Sequence, residues 1–261
     1  MIHNCCKRGF FCQASILLII LMMLTVGGCG SKKKQALRSN DDIYKGALQN
    51  IERGKMRSAL TLMKSIGVSE EVSKDLAPLI LLATADADFY LEDLMSMADA
   101  AKSYSEFVTF YSDHTMADYA QFQIGMCYYK LTNTPENDQE QTFKAIEEFK
   151  KVKFMRSDSP FIRAADGMIK KCEDKIAEHE FLIGQFYYKK KSYSAAAERF
   201  RGILNSYVTY HEKEKVYYYL GDSLLKMDNS SEGKIYLDKI VSDYPKSKYA
   251  RYASEVLGRI K

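Results

Sequence analysis

The sequence IGMCYYK at residues 124–130 returns as IGQFYYK at residues 183–189. Each copy has apolar residues at helical spacing, with a glycine fixed in the second position. A helical segment that recurs within one chain is typical of stacked structural repeats. Because such arrays mostly present surfaces to partners, the recurrence favours a scaffold over an enzyme.

The recurring unit is a small residue followed four positions later by a large apolar one. A second small or short residue precedes four of these pairs by twelve positions, and Gly125 takes this place in the third unit, displaced by an insertion at 132–141. This pattern is the tetratricopeptide arrangement, in which small residues let two helices approach closely. We therefore predict an all-α tetratricopeptide-repeat α-solenoid of about five helix pairs. The paired positions are Ala59/Met63, Ala100/Tyr104, Ala145/Phe149, Ala196/Phe200 and Gly233/Leu237, and the preceding residues are Ala47, Asp88, Gly184 and Gly221.

The positions of the prolines agree with a series of separate helices. Pro245 and Pro160 follow turn residues, and proline is favourable at the start of a helix. Whether the segment 160–190 is one helix or two is left open by the sequence. The predicted helices are 41–53, 55–66, 73–92, 95–111, 115–131, 139–155, 160–190, 193–207, 212–227, 231–243 and 247–259. We assign repeats 1–3 to residues 41–155, and repeats 4–5 with a C-terminal helix to residues 156–261.

The N-terminus is predicted to be a targeting segment. Lys7 and Arg8 precede an apolar run over 14–24, and small residues then lead to a cysteine. This segment resembles a bacterial lipoprotein signal peptide over 1–28, with cleavage between Gly28 and Cys29 and acylation (palmitate) of Cys29. An ordinary secretory signal and an uncleaved anchor helix are the alternatives.

The residues after the cysteine predict the destination of the chain. Residues 29–40 are polar and are interpreted as a lipidated tether. Gly30 stands where lipoproteins of enteric bacteria carry an aspartate when they are retained in the inner membrane. We therefore expect a lipid anchor in the outer membrane, with the protein facing the periplasm.

The charge balance bears on the class of partner, and the cysteine content bears on disulfide formation. Loss of Lys7 and Arg8 from the 38 basic side chains leaves 36 against 34 acidic ones, which argues against a nucleic-acid partner. Cys127 and Cys172 remain after the signal and the lipidated cysteine are set aside. Their apolar helical surroundings favour two buried thiols over a disulfide bridge.

Catalytic patterns are missing from the sequence. None of the four histidines belongs to a His-Glu-x-x-His pair, and neither a nucleophile elbow nor a phosphate-binding glycine loop occurs. No cysteine and histidine cluster has the spacing of a metal site. We therefore expect no enzyme activity, no metal and no cofactor.

The surroundings of the second heptapeptide are more specific. Residues 179–190, Tyr193, 195–200 and 202–204 resemble the fourth repeat of the BamD family, the tetratricopeptide lipoproteins of the outer-membrane β-barrel assembly machine. With the lipoprotein signal, the resemblance extends over essentially the whole mature chain. It implies a non-catalytic scaffold that docks on a periplasmic POTRA domain of BamA, contacts other assembly-machine lipoproteins and helps to receive unfolded outer-membrane protein precursors. A different periplasmic tetratricopeptide adaptor, coordinating peptidoglycan synthesis or cell division, is the alternative.

The resemblance also implies binding residues. An arginine in helix B of the fourth repeat contacts BamA in that family, and the matching residue here is Arg199; the other interpretation is a solvated helix charge. The N-terminal repeats are implied to receive precursors, and the aromatic residues that could do so are Phe89, Tyr90, Phe107 and Tyr111. Aromatic residues at helical spacing also fit a core.

Overall fold

The computed structural model describes residues 39–67 and 71–260, and within these ranges all regular secondary structure is α-helical. Gly28 and Cys29 lie outside the described residues. Within them there are eleven helices: α1 (Asn40–Glu52), α2 (Met56–Met63), α3 (Leu76–Phe89), α4 (Leu94–Phe110), α5 (Ala117–Lys130), α6 (Glu140–Met155), α7 (Ile162–Lys189), α8 (Tyr193–Ser206), α9 (Lys213–Leu225), α10 (Ser230–Asp243) and α11 (Lys248–Leu257).

The helices form five antiparallel pairs, each packed on the next, and α11 covers the last pair. The pairs are α1 with α2, α3 with α4, α5 with α6, α7 with α8, and α9 with α10, which confirms the predicted tetratricopeptide solenoid. Helix α7 is continuous over its 28 residues. Its first half packs on α6 through Ala165 and Cys172, and its second half packs on α8 through Phe181. The core is therefore continuous across the predicted repeat boundary at residue 155.

Small residues are in van der Waals contact with large ones at the helix crossings, as the sequence pattern predicts. A Cβ atom added to Gly125 would lie 2.6 Å from the ring of Phe149, and one added to Gly184 would lie 2.6 Å from the ring of Phe200. Both rings are fully buried. The twin heptapeptides thus place each glycine against the large residue of the paired helix.

The turns within the pairs share a residue in the left-handed backbone region. Gly54 takes this conformation in the first pair, and Glu92, Lys191 and Asp228 take it in the second, fourth and fifth. This backbone conformation costs a non-glycine residue about 1–2 kcal/mol, and only the first pair has a glycine, Gly54, at this position. The third pair has the predicted insertion here, and the Pro135 carbonyl of this loop lies 2.6 Å from His179 Nδ1 on α7.

Cys127 and Cys172 are both free and buried, which confirms the prediction of two packed thiols. Burial raises the pKa of Cys127 to about 12 and that of Cys172 to about 11. A thiol with a pKa in this range is protonated at neutral pH and is a poor nucleophile. The two cysteines therefore act as small apolar side chains.

Asp88 is half-buried at the position where the four other pairs carry alanine or glycine. Desolvation, together with Asp99 and Asp93, raises its pKa from 3.8 to about 6 although Lys64 opposes the shift. Because the folded pKa is the higher one, ionised Asp88 destabilises the fold, and stability falls as the pH rises from about 4 to about 6.

We predict that Asp88→Asn raises the free energy of unfolding at pH 7 by about 1 kcal/mol, after allowance for solvent screening. Urea denaturation at pH 7 and pH 4.5 measures this, and the gain should largely disappear at the lower pH. Exposed Asp238→Asn is the control. An equal gain at both pH values would show that ionisation of Asp88 is not the cause.

Candidate functional site

A cleft of about 530 Å³ lies on the fourth helix pair, between the second half of α7 and helix α8. Helix α8 buries one face, which carries Ala196, Phe200 and Ile203, against its neighbours. The adjoining face carries the small residues Ala195, Gly202 and Ser206 beside Arg199, and these small residues leave space open at the surface. The lining residues are Glu180, Tyr187, Ala195, Glu198, Arg199, Gly202, Ile203, Ser206 and Tyr207.

Arg199 lies in this cleft, flanked along its helix by Ala195 and Gly202. A Cβ atom added to Gly202 would meet no atom within 4 Å, so the space beside the guanidinium is open. The Arg199 Nη1 atom donates a hydrogen bond of 2.9 Å to Glu180 Oε2. A guanidinium has five N–H donors, and no other hydrogen bond from Arg199 occurs in the described part of the chain. The side chain is thus positioned by Glu180 and still able to bind an acceptor.

The electrostatics of the cleft follow from three charged residues. Glu180 and Glu198 contribute two carboxylates and Arg199 one cation. Burial, followed by the nearby carboxylates of Glu180 and Glu173, raises the pKa of Tyr207 at the end of the cleft. Tyr207 therefore remains a neutral hydroxyl at neutral pH.

The aromatic residues of the second helix pair do not form one surface. Phe107 is fully buried and its ring lies 5.5 Å from that of Tyr111 in the core. The prediction that Phe107 contacts a precursor is therefore wrong, because a docked chain cannot reach its ring. Phe107 lies three residues before Phe110, and the helix turns the Phe110 ring to solvent, with 72% of it exposed.

The other three candidates lie at opposite ends of this pair. Phe89 is partly buried against the core and Tyr90, at the α3 to α4 turn, is 56% exposed. Tyr111 follows the last residue of α4 and lines a second cleft with Phe110 and Leu79. Helix α4, with its 17 residues, separates the two ends by roughly 25 Å at 1.5 Å per residue. The aromatic pattern of the sequence gave no indication of Leu79, which is apolar and exposed beside Phe110.

Within residues 39–67 and 71–260, no group of three or more histidine, cysteine, aspartate or glutamate side chains is arranged to hold a metal ion. Among the helices of the same ranges, none is both long enough and apolar enough to cross a membrane.

The five stacked pairs, with glycine and alanine at their crossings and clefts on their surface, define a tetratricopeptide-repeat protein. The family model described as YfiO, outer membrane lipoprotein, matches residues 37–234, and the chain belongs to that family.

Two relatives carry the name outer membrane protein assembly factor BamD. The one from Rickettsia prowazekii is 26% identical over 234 residues, which cover 87% of this chain and 90% of the relative. The one from Caulobacter vibrioides is 22% identical over 215 residues, covering 80% of this chain and 69% of the relative. These relatives and the family match confirm the resemblance to the BamD family.

Solved structures to which the chain is similar include the TPR2AB domain of yeast Sti1 in its pHSP90 complex, with a TM-score of 0.44, 16% identity and coverage of 82% of this chain and 81% of that one. The pilus biogenesis factor PilW has a TM-score of 0.36 and 12% identity, covering 84% of this chain and 98% of that one.

Proposed function

We propose that this protein is a non-catalytic scaffold lipoprotein of the machine that assembles β-barrel proteins in the outer membrane. The family described as outer membrane lipoprotein and the two relatives named as assembly factors support this role. Acyl chains on Cys29 anchor the chain in the outer membrane, and the repeats face the periplasm. More than one buried acyl chain is sufficient for stable anchoring.

The cleft of the fourth helix pair docks on a POTRA domain of BamA. The observation that carries this proposal is Arg199, which Glu180 orients at 2.9 Å and which small neighbours leave accessible. Its remaining donors match a carboxylate on the partner in a bidentate manner. Partner residues that face Arg199 would exclude water from the ion pair between Arg199 and Glu180. Arginines shielded from water in this way are frequent hot spots of interfaces.

Unfolded precursors are received on the second helix pair, at the α3 to α4 turn. Tyr90 is exposed there, and so are Leu94 and Met95, which follow it closely in the chain. We assign the precursor surface to these three side chains, since exposed apolar patches mark interaction sites. Phe89 supports the ring of Tyr90 by an edge contact at 5.8 Å between ring centroids.

Affinity capture from cross-linked membranes tests the scaffold role. The wild-type lipoprotein should recover a β-barrel protein with POTRA domains, other lipoproteins and barrel precursors. Recovery of cell-wall synthases or division proteins alone would contradict the assembly role and favour the adaptor alternative.

Arg199→Glu should reduce capture of the POTRA-containing protein by about 30-fold, the loss expected for a hot spot of about 2 kcal/mol. The new carboxylate repels the acceptor on the partner. Lys234→Glu, an exposed charge reversal on α10, should capture as the wild type does. If Arg199→Glu captures equally well while remaining folded, Arg199 does not belong to the interface.

A further inference from the structure

A second surface lies away from Arg199, where the turn at residues 111–116 joins the second helix pair to the third. Two clefts flank this turn and share Ser112, Asp113 and His114. We propose that the turn is a docking site for a partner polypeptide segment, which places a basic side chain beside Asp118 and a large apolar side chain against Phe110.

Asp118 is the residue that points to a ligand. It lies in the first turn of α5 with only 4% of its surface exposed. Its Oδ1 atom accepts a hydrogen bond of 2.9 Å from the Tyr119 amide. Its Oδ2 atom is buried and has no hydrogen-bond partner in the described structure. A buried acceptor without a partner is destabilising, so a donor that enters the cleft is favoured.

The charged residues around Asp118 favour a positively charged group as the ligand. The cleft has a volume of about 270 Å³, and Asp113 at its rim is exposed and forms no ion pair in the described structure. Arg156 is the nearest cation, with Nη2 4.0 Å from Asp118 Oδ2, but its Nε atom donates to Asp158 at 3.1 Å. The Asp118 carboxylate is therefore incompletely paired, and a guanidinium or ammonium group from outside can donate to it.

The neighbouring cleft supplies the apolar half of the site. It has a volume of about 550 Å³ and contains Pro78, Leu79, Phe110 and Tyr111. Phe110 is largely exposed and Leu79 partly so. An extended segment rises about 3.3 Å per residue, so one chain can cross the shared turn and place a side chain in each cleft. A polypeptide with a basic residue close to a large apolar one fits both.

This surface belongs to helices α3 to α6, whereas the proposed docking cleft belongs to α7 and α8. The inference therefore does not rest on the proposed function, and each can fail without the other.

Fluorescence anisotropy with the full-length lipoprotein in detergent provides the test. The probe is a labelled, end-capped hexapeptide of glycine and serine that carries one arginine and one phenylalanine two residues apart. Matched peptides replace the arginine with norleucine or the phenylalanine with alanine. Each replacement should weaken binding, and the loss of a charged hydrogen bond should cost about tenfold.

Variants locate the site. Asp118→Asn, which keeps the acceptor for the Tyr119 amide, should weaken the arginine probe about tenfold, and Asp238→Asn should not. Phe110→Ser should weaken binding of the arginine probe, whereas Phe154→Ser, which changes another largely exposed phenylalanine on α6, should not. Arg156→Ala should tighten binding, because it removes the internal cation that competes for Asp118.

Any of three results would overturn the inference. They are no binding of the arginine probe at millimolar concentration, binding of the norleucine probe as tight as that of the arginine probe, or weaker binding of the arginine probe by Arg156→Ala than by the wild type. Circular dichroism verifies that each variant is folded. If Asp118→Asn does not fold, Asp113→Asn and the peptide comparison decide the outcome.

Discussion

Gly221→Val should lower the free energy of unfolding by about 3 kcal/mol, at the upper end of the usual cost of overpacking a core. A Cβ atom at this position would lie 2.9 Å from Leu237 Cγ and 3.0 Å from the carbonyl oxygen of Gly233. The second contact is with backbone, which cannot rotate away as a side chain can. Helices α9 and α10 would have to separate, and urea denaturation followed by circular dichroism measures the loss.

Gly167→Val is the matched control. Gly167 is exposed in α7, and an added Cβ atom would meet nothing within 4 Å. Valine also has a slightly higher helix propensity than glycine, so stability should stay within about 0.5 kcal/mol of the wild type. If both variants lose the same amount, the close approach of the two helices does not explain the glycine at position 221.

Phe200→Ala should lower the free energy of unfolding by about 3–5 kcal/mol. The Phe200 ring is fully buried between helices, with ring centroids 5.6 Å from Phe181 and 5.7 Å from Tyr219. Its removal leaves a cavity at the junction of the fourth and fifth pairs, beside Gly184. Because each repeat is stabilised by its neighbours, we expect the C-terminal helices to unfold together.

Phe154→Ala makes the same chemical change on the surface, since this ring is almost fully exposed on α6. It should change the stability by less than about 0.5 kcal/mol. A large loss from Phe154→Ala, or a loss below about 1 kcal/mol from Phe200→Ala, would contradict the packing described for the fourth pair.

The architecture could be predicted because the repeat pattern indicates which residues are in contact where two helices cross. The small residues Ala59, Ala100, Ala145 and Ala196, with Gly233, are all buried, as are the large residues four positions later. Close helix approach requires a missing side chain on one helix and a large one on the other. The pairing of a small residue with a large one is therefore detectable in the sequence even where the repeats are irregular in length.

The surface could not be predicted in the same way, as the twin heptapeptides show. Cys127 and Phe186 are equivalent, yet Cys127 is fully buried and Phe186 is 56% exposed. Helix α4 covers Cys127, whereas α6 packs on the first half of the long helix α7 and leaves Phe186 open. The difference arises from the arrangement of neighbouring pairs, which no local pattern contains.

The packing of neighbouring helices also decides which candidate binding residues are exposed. Phe107 and Phe110 differ by three positions, and only the direction in which α4 packs decides which of them is core. The role of Arg199 was inferred from the family resemblance, and its pairing with Glu180 across two helices was visible only in the structure. The unsatisfied oxygen of Asp118 could not be predicted from the sequence, because it depends on the position of Arg156, which follows the last residue of α6.

The most direct test of the docking role is the affinity of a purified POTRA domain of the partner for three forms of this protein: wild type, Arg199→Glu, and Arg199→Glu combined with Glu180→Arg. The double variant restores the internal ion pair with the charges exchanged. We predict that both variants lose binding, because the partner requires a cation at position 199. Recovery of wild-type affinity by the double variant would contradict the account and reduce Arg199 to an internal ion-pair residue.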